Sequence, residues 1–208
     1  MRYAAVLFDL LTALLDSWSL WDRVAGGPDA GRRWRMRYLQ LTYGCGRYRP
    51  YEDLVAQAAG DVGLNPSVVE VLLLHWDQLT PWSEALLVLR SLAEDAPIGI
   101  ITNCSEALTQ RAVERVGVAF SVVVSAERAG WYKPDPRPYQ LALRELGLLP
   151  PRVLFVAGSP DDVLGAARVG MPVFWHNRAQ LADAAATAQA LACSTRLEPL
   201  CELVSAAQ

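Results

Sequence analysis

The sequence has no apolar run of the roughly twenty residues that a bilayer-spanning helix needs, so a helical membrane segment is excluded on sequence grounds. It has no surplus of positive charge either: 19 Lys and Arg stand against 22 Asp and Glu, a net charge of −3. Nothing in that balance supplies an electrostatic grip on nucleic acid or on an anionic membrane surface. Internal repeats and low-complexity tracts are absent, which excludes repeat arrays. Cysteine is sparse, and Cys45, Cys104, Cys193 and Cys201 show neither metal-ligand spacing nor the pattern of a disulfide framework. Of the two histidines, His75 lies on an apolar helical stretch and reads as structural, and His176 follows a strand with no evident partner. Arg2 ahead of an apolar stretch has the outline of a signal peptide. Asp9 interrupts that stretch, Asp16 follows, and no small-residue cleavage site comes after, so the expectation is a cytoplasmic protein.

What the sequence does contain is enough apolar mass for one ordinary core plus an inserted subdomain: 208 residues, 52% hydrophobic and 20% charged. The organising stretch is Val6-Leu7-Phe8-Asp9-Leu10-Leu11-Thr12. Residues 4–8 read as a buried parallel strand that ends abruptly on a carboxylate. Open α/β sheets place their ligands at that carboxyl edge. The plain reading of Asp9 is a helix N-cap, for which Asp is favoured; the sharper reading is a nucleophile.

Beyond Asp9, residues 15–79 read as wholly helical. Gly26, Gly27 and Pro28 break a first helix, Trp34, Tyr38 and Leu41 recur at helical spacing over residues 32–43, and Pro50 and Asn65-Pro66 open two further helices. Thr80-Pro81 is expected to cap a helix running to residue 92. From there strands at 98–101, 122–124, 153–156 and 173–175 alternate with helices at 106–116, 138–146 and 163–169, and an alanine-rich tail from residue 179 is expected to be helical. Such alternation predicts an α/β fold with a doubly wound parallel sheet, residues 1–14 and 80–208 forming the core and residues 15–79 an inserted helical layer.

Four polar clusters stand next to these elements: Asp9; Thr102-Asn103; Lys133-Pro134-Asp135-Pro136-Arg137-Pro138-Tyr139; and Gly158-Ser159-Pro160-Asp161-Asp162. In a parallel sheet with neighbouring strands all four converge. A lysine beside two carboxylates holds them ionised, as a nucleophile and its base require.

On these residues the chain resembles the haloacid dehalogenase superfamily of hydrolases over nearly its whole length. Asp9 matches that family's nucleophile, Thr102 the hydroxyl of its second motif, Lys133 with Pro134-Asp135-Pro136 the third, and Asp162 the last acid of the fourth. The resemblance implies a Rossmann-like core, a small helical cap inserted after the first strand, and a homodimer. Most members are magnesium phosphatases with a second Asp two residues past the nucleophile and a metal-binding Asp in the fourth motif; those positions here are Leu11 and Gly158. Loss of a carboxylate removes both charge and geometry from an octahedral oxygen site. The match is therefore better to the metal-free branch, the 2-haloacid dehalogenases and the related L-azetidine-2-carboxylate hydrolase, in which an aspartate attacks carbon 2 of a small carboxylic acid and water cleaves the resulting ester.

That branch carries a catalytic arginine in its cap, matched by Arg35, with Leu39 after it; Tyr139 also falls in place. Arg35 and Asn103 are the candidates to receive a leaving anion, Thr102 to orient the substrate carboxylate, and Asp162, held by Lys133, to activate water. Leu10, Leu11, Trp18, Leu39, Tyr139, Ser159 and Asp161 are the candidate substrate contacts; Asp161 or Asp16 would suit a ring ammonium. The branch has Tyr, Gly and Thr where this chain has Leu11, Thr12 and Ala13, and Ser, Asn and Trp at Ala157, Ser159 and Asp161. The implied partners are a 2-substituted carboxylate and water, with no metal and no cofactor. The competing readings are a magnesium-dependent phosphatase and a catalytically silent binding protein. The plainest readings of the arginines from Arg23 to Arg37 and of Trp18, Trp21 and Trp34 are a solvated face and interdomain core.

Overall fold

The structure, a computed structural model, describes residues 2–205. β1 (Ala5–Phe8) is buried at all four positions, a pattern stable only in a sheet covered on both faces. Helices then follow with no strand between them: α1 (Ser17–Val24), α2 (Pro28–Cys45), α3 (Tyr51–Asp61) and α4 (Ser67–Leu74). After α5 (Ala85–Asp95) strands and helices alternate: β2 (Ile98–Thr102), α6 (Glu106–Val116), β3 (Val122–Ser125), the short α7 (Ala126–Ala129), α8 (Pro136–Leu146), β4 (Val153–Ala157), α9 (Pro160–Val169) and β5 (Val173–His176). The described residues end with α10 (Ala184–Gln189), β6 (Ala192–Ser194) and α11 (Pro199–Ser205).

The six strands of the described residues are all parallel, in the order β3-β2-β1-β4-β5-β6. This is the doubly wound α/β sheet that the alternating pattern predicts. The order reverses at β1, so the crevice beyond its carboxyl end is the topological switch point where such sheets bind ligands. Alternate residues of β1 serve opposite cores. Val6 and Phe8 pack with α5, α6, α11 and the helical layer, and Ala5 and Leu7 pack with α8, α9 and α10.

Within the helical layer, α1 and α2 approach so closely that a Cβ on Gly31 would lie 2.4 Å from the Asp22 Cα. Among the hydrogen bonds that tie the layer to the core, Tyr38 donates to the Asn103 carbonyl at 2.9 Å, Ser105 to Glu52 at 2.8 Å, and the Trp76 indole to the Leu108 carbonyl at 2.9 Å. Among the described residues no helix is long and apolar enough to cross a membrane.

Three expectations are corrected. Thr80-Pro81 does not cap a helix. The Asp16 N–H donates to the Thr80 carbonyl at 2.8 Å, Leu15 bridges Pro81 antiparallel, and α5 starts only at Ala85; the two crossings between core and helical layer lie side by side and satisfy each other's backbone. The tail is not simply helical: residues 192–194 form β6 against the outer edge of β5. A three-residue edge strand has no legible period, and its ladder outweighs the helix propensity of the alanines around it. Finally, α9 begins at Pro160 rather than residue 163, because Ser159 caps it, Pro160 occupies its first turn, and Asp161 and Asp162 suit its positive end.

Candidate active site

Asp9 is still in register with the sheet, its N–H donating to the Val156 carbonyl at 2.9 Å. The chain then turns over residues 11–14, which brings Thr12 back onto the carboxylate. Thr12 donates its N–H at 2.8 Å and its hydroxyl at 2.5 Å, both to Asp9 Oδ2. The N–H contact is the bond that the capping reading of Asp9 calls for. Asp9 Oδ1 is taken instead by Lys133 Nζ at 2.9 Å, and the same ammonium reaches Asp162 Oδ2 at 3.0 Å. Asp9, Lys133 and Asp162 are 5%, 1% and 2% exposed. The carboxylate is a cap and a member of a buried charged trio at once.

Each member is held from behind. The Asn103 side chain clasps the backbone of residue 133, accepting from its N–H at 2.7 Å and donating to its carbonyl at 3.0 Å. Asp162 lies in the first turn of α9, where its N–H donates to the capping hydroxyl of Ser159 at 3.3 Å. Tyr139 donates to the Asp162 carbonyl at 3.4 Å.

Burial opposes charge on all three groups, and their neighbours decide the outcome. At Asp9 the Lys133 ammonium and the two Thr12 bonds overcome burial and hold the carboxyl below its ordinary value. At Asp162 burial wins, with Asp9 adding to it against the pull of Lys133, and the carboxyl is pushed up to about 7. Lys133 stays charged, burial being outweighed by the two carboxylates. Two neighbouring carboxyls driven in opposite directions mark one as a standing anion and the other as a proton acceptor near neutrality.

A fourth charged group comes from α2. Arg35, Tyr38, Leu39 and Tyr43 are spaced three, four and eight residues along one helical face, and all four border the cavity beside Asp9. Arg35 is 1% exposed. It donates through Nη2 to Ser17 at 2.8 Å, while Nε and Nη1 are buried without partners. Its guanidinium carbon lies 4.8 Å from the Trp21 ring centre, 5.5 Å from Tyr38 and 5.6 Å from Trp18. The solvated-face reading thus holds for Arg32 and Arg33 but not for Arg35. Trp21 and Trp34 are core, 4.4 Å apart, yet Trp21 also walls in this cation.

The cavity itself measures ≈ 20 Å³, room for about one water. Of the residues singled out from sequence, Asp9, Leu11, Arg35, Leu39, Thr102, Asn103, Lys133 and Asp162 line it. On its wall Thr102 Oγ1 and Asp162 Oδ1 are buried without partners. The other five lie elsewhere. Leu10 is buried in the core. Trp18 borders a separate cleft of ≈ 410 Å³, as does Asp16, which caps α1 through Ser19. Tyr139 packs on Phe155 behind Asp162. Ser159 and Asp161 open onto a cleft of ≈ 750 Å³ between α2 and α9. Thr12, Tyr38 and Tyr43 line the cavity without having been singled out, and Ser17 joins Arg35 to the Leu11 carbonyl. The tyrosines follow from the Arg35–Leu39 face, Tyr38 lying on it three residues past Arg35 and Tyr43 one turn past Leu39; Thr12 follows from the three-residue spacing of a capping bond.

A family model for haloacid dehalogenase-like hydrolases matches residues 14–170, a span that includes the helical layer, Lys133 and Asp162 and begins just past Asp9. The chain belongs to the haloacid dehalogenase-like hydrolase family. It is 30% identical over 190 residues to an (S)-2-haloacid dehalogenase of Pseudomonas putida, covering 83% of this chain and 84% of that protein. A second (S)-2-haloacid dehalogenase, of Pseudomonas fluorescens, is 30% identical over 164 residues, 73% of this chain and 72% of that one. A solved L-2-haloacid dehalogenase superposes with a TM-score of 0.86 at 27% identity, covering 99% of this chain and 100% of that one.

Within this hydrolase family the magnesium-dependent members set a test for the residues present. A Cβ on Gly158 would lie 2.0 Å from Thr12 Oγ1 and 2.6 Å from Thr12 Cβ. The volume in which a fourth-motif carboxylate would begin is filled by the threonine. The Leu11 side chain offers no oxygen, and among the described residues no three His, Cys, Asp or Glu side chains converge as a metal cage. The donor set does not fit a magnesium ion.

Proposed function

We propose that the protein hydrolyses small 2-halocarboxylic acids, Asp9 displacing halide from carbon 2 and water then cleaving the aspartyl ester to a 2-hydroxy acid. The observation that carries this reading is the buried Arg35 guanidinium, which has no carboxylate partner among the described residues and borders the same cavity as the ionised Asp9. A buried cation of this kind calls for an anion, and a departing halide supplies one in the transition state, when it counts for rate. The relatives named for 2-haloacid dehalogenation support the same chemistry.

In this reading Leu11 and Leu39 form the apolar wall that keeps Asp9 poorly hydrated. The free hydroxyl of Thr102 orients the substrate carboxylate, Asn103 sets Lys133 and offers its remaining N–H to the leaving anion, and Asp162 deprotonates the hydrolytic water. Residues 15–79 act as a cap over a core of residues 1–14 and 80–208. No metal or cofactor takes part. Opening of azetidine-2-carboxylate fits less well, since Asp16 and Asp161, the carboxylates suited to its ring ammonium, border other clefts. A cytoplasmic setting suits four unpaired cysteines; a homodimer belongs to the same proposal and is tested by sedimentation.

The decisive experiment incubates chelator-treated protein separately with L-2-chloropropionate, L-azetidine-2-carboxylate and an aryl phosphate, following products by NMR. Chloride and 2-hydroxypropionate from the first, lost in Asp9→Asn, are expected. Turnover of azetidine-2-carboxylate instead would change the leaving group, phosphate release restored by Mg²⁺ would replace the reading with a phosphatase, and silence on all three would favour a binding protein.

A further inference from the structure

The two oxygens of Asp9 are not equivalent. Oδ1 takes a single donor, the Lys133 ammonium at 2.9 Å. Oδ2 takes two donors from one residue, the N–H of Thr12 at 2.8 Å and its hydroxyl at 2.5 Å. Two preorganised donors on one oxygen form an oxyanion hole, and such holes act on the oxygen that gains charge in acyl transfer. Here the acyl group is the enzyme's own: once alkylated, Asp9 is an ester whose carbonyl must be attacked by water.

The Thr12 hydroxyl has this place because residue 158 is glycine. Any side chain there would begin 2.0 Å from Thr12 Oγ1. The turn is also pinned from the far side: the Trp82 indole donates to the Thr12 carbonyl at 3.4 Å, and His176 Nδ1 contacts the Ala13 carbonyl at 2.8 Å. The metal-free relatives, by their motif, carry glycine at position 12 and threonine at position 13, where this chain has Thr12 and Ala13.

We infer that Thr12 is a catalytic residue of the ester-cleaving half of the reaction, its N–H and hydroxyl holding Asp9 Oδ2 as the oxyanion. The inference rests on the carbon-attack reading above. In the first half, an Oδ1 lone pair forms the bond to carbon 2 and the halide leaves with the electrons of the broken bond. Oδ2 becomes the ester carbonyl oxygen. In the second half, water bonds to Asp9 Cγ while its proton passes to Asp162, and the carbonyl π electrons move onto Oδ2 between the two Thr12 donors. Collapse breaks the Cγ–Oδ1 bond. The departing 2-alkoxide takes the proton from Asp162, and the new carboxylic acid of Asp9 ionises to solvent, so one water is consumed and one proton and one halide are released.

The test compares wild type, Thr12→Val and Thr12→Ser in a rapid-quench experiment with L-2-chloropropionate, reading chloride release and the covalent ester on Asp9 by intact-protein mass spectrometry. Thr12→Val is expected to keep the chloride burst within a few-fold of wild type, to slow ester cleavage about 100-fold, and therefore to accumulate ester; Thr12→Ser restores cleavage. A hydroxyl that merely shapes the turn would slow both halves together. Equal slowing, or no ester in a Thr12→Val protein that still turns over, would overturn the inference while leaving carbon attack in place. No chloride from wild type would overturn the reading beneath it, and the inference with it.

Discussion

The phenol of Tyr43 donates to the hydroxyl of Ser159 at 2.6 Å, and that hydroxyl accepts the N–H of Asp162 at 3.3 Å. The helical layer therefore holds the cap of the very helix that carries the proposed base. Burial and the neighbouring Asp162 keep the phenol protonated, so it acts as the donor. Tyr43→Phe removes one hydrogen bond worth about 1 kcal/mol. The expected result is a fall in kcat/KM of about fivefold, with faster amide exchange at residues 160–163 and little change in Tm. Unchanged exchange would show that the link does not position α9.

Arg35 is a cation kept where it costs stability. Its charge is buried, its hydrogen-bond partner is neutral, and two of its three nitrogens are unpaired. Replacing such a group with an apolar chain of similar length tends to stabilise a fold, by roughly 1–4 kcal/mol in known cases. Arg35→Met is therefore expected to raise Tm while abolishing dehalogenation. Added bromide or chloride should raise the Tm of wild type, which alone offers an anion site, and leave Arg35→Met unmoved. A lower Tm in the variant would mean that Arg35 holds the layer together rather than awaiting an anion.

The pH dependence follows from the two carboxyls. Asp9 is ionised well below neutrality, so the alkylation half should be flat from mildly acid to neutral pH. Asp162 is pushed up to about 7 and accepts a proton only in its ionised form. In the ester Asp9 no longer carries the charge that helps to raise Asp162, so ester cleavage should rise with pH and level off below about 7, and ester should build up on the acid side. Single-turnover traces at several pH values separate the halves. An ester-cleavage rate that fell as pH rose would remove Asp162 from the role of base.

Much of this arrangement was legible in the sequence because it rests on local chemistry. A buried strand ending on Asp9, the Thr102-Asn103 pair, the Lys133-Pro134-Asp135 stretch and the Asp161-Asp162 turn each announce a sheet edge, and alternation of strands and helices places those edges together. Arg35 and Leu39 came from the family resemblance instead, since helical spacing marked Trp34, Tyr38 and Leu41 and made the arginines between them a solvated face. What escaped depends on distant contacts. β6 exists because β5 offers an open edge, and Thr80-Pro81 is extended because Leu14 and Leu15 lie opposite. Leu10 and Trp18 stand near Asp9 in sequence but point away from the cavity, since a sharp turn reverses the alternation a strand would have kept. Thr12 stood in the sequence as a departure from the family pattern, three residues past a capping aspartate; its meaning came from Gly158, well over a hundred positions along the chain.

That pairing of Thr12 with Gly158 can be tested as a unit. Gly158→Ala places a methyl 2.0 Å from Thr12 Oγ1 and 2.7 Å from the Ala13 N, and overpacking of this kind costs about 1–3 kcal/mol. Thr12→Gly alone loses the two-point hold on Asp9 Oδ2 in part, keeping the N–H. Combined, the second change vacates the volume the first requires, so the double variant should be more stable than the sum of the single losses predicts, with a coupling energy within the range of roughly 0.5–3 kcal/mol found for residues in contact. Thermal unfolding of the four proteins closes the cycle. Additive losses would mean that the turn yields elsewhere, and the argument that threonine excludes a metal-binding carboxylate would lose its steric basis. The same argument requires wild-type turnover to be indifferent to chelator and to added Mg²⁺, and a rate that rose with Mg²⁺ would contradict it directly.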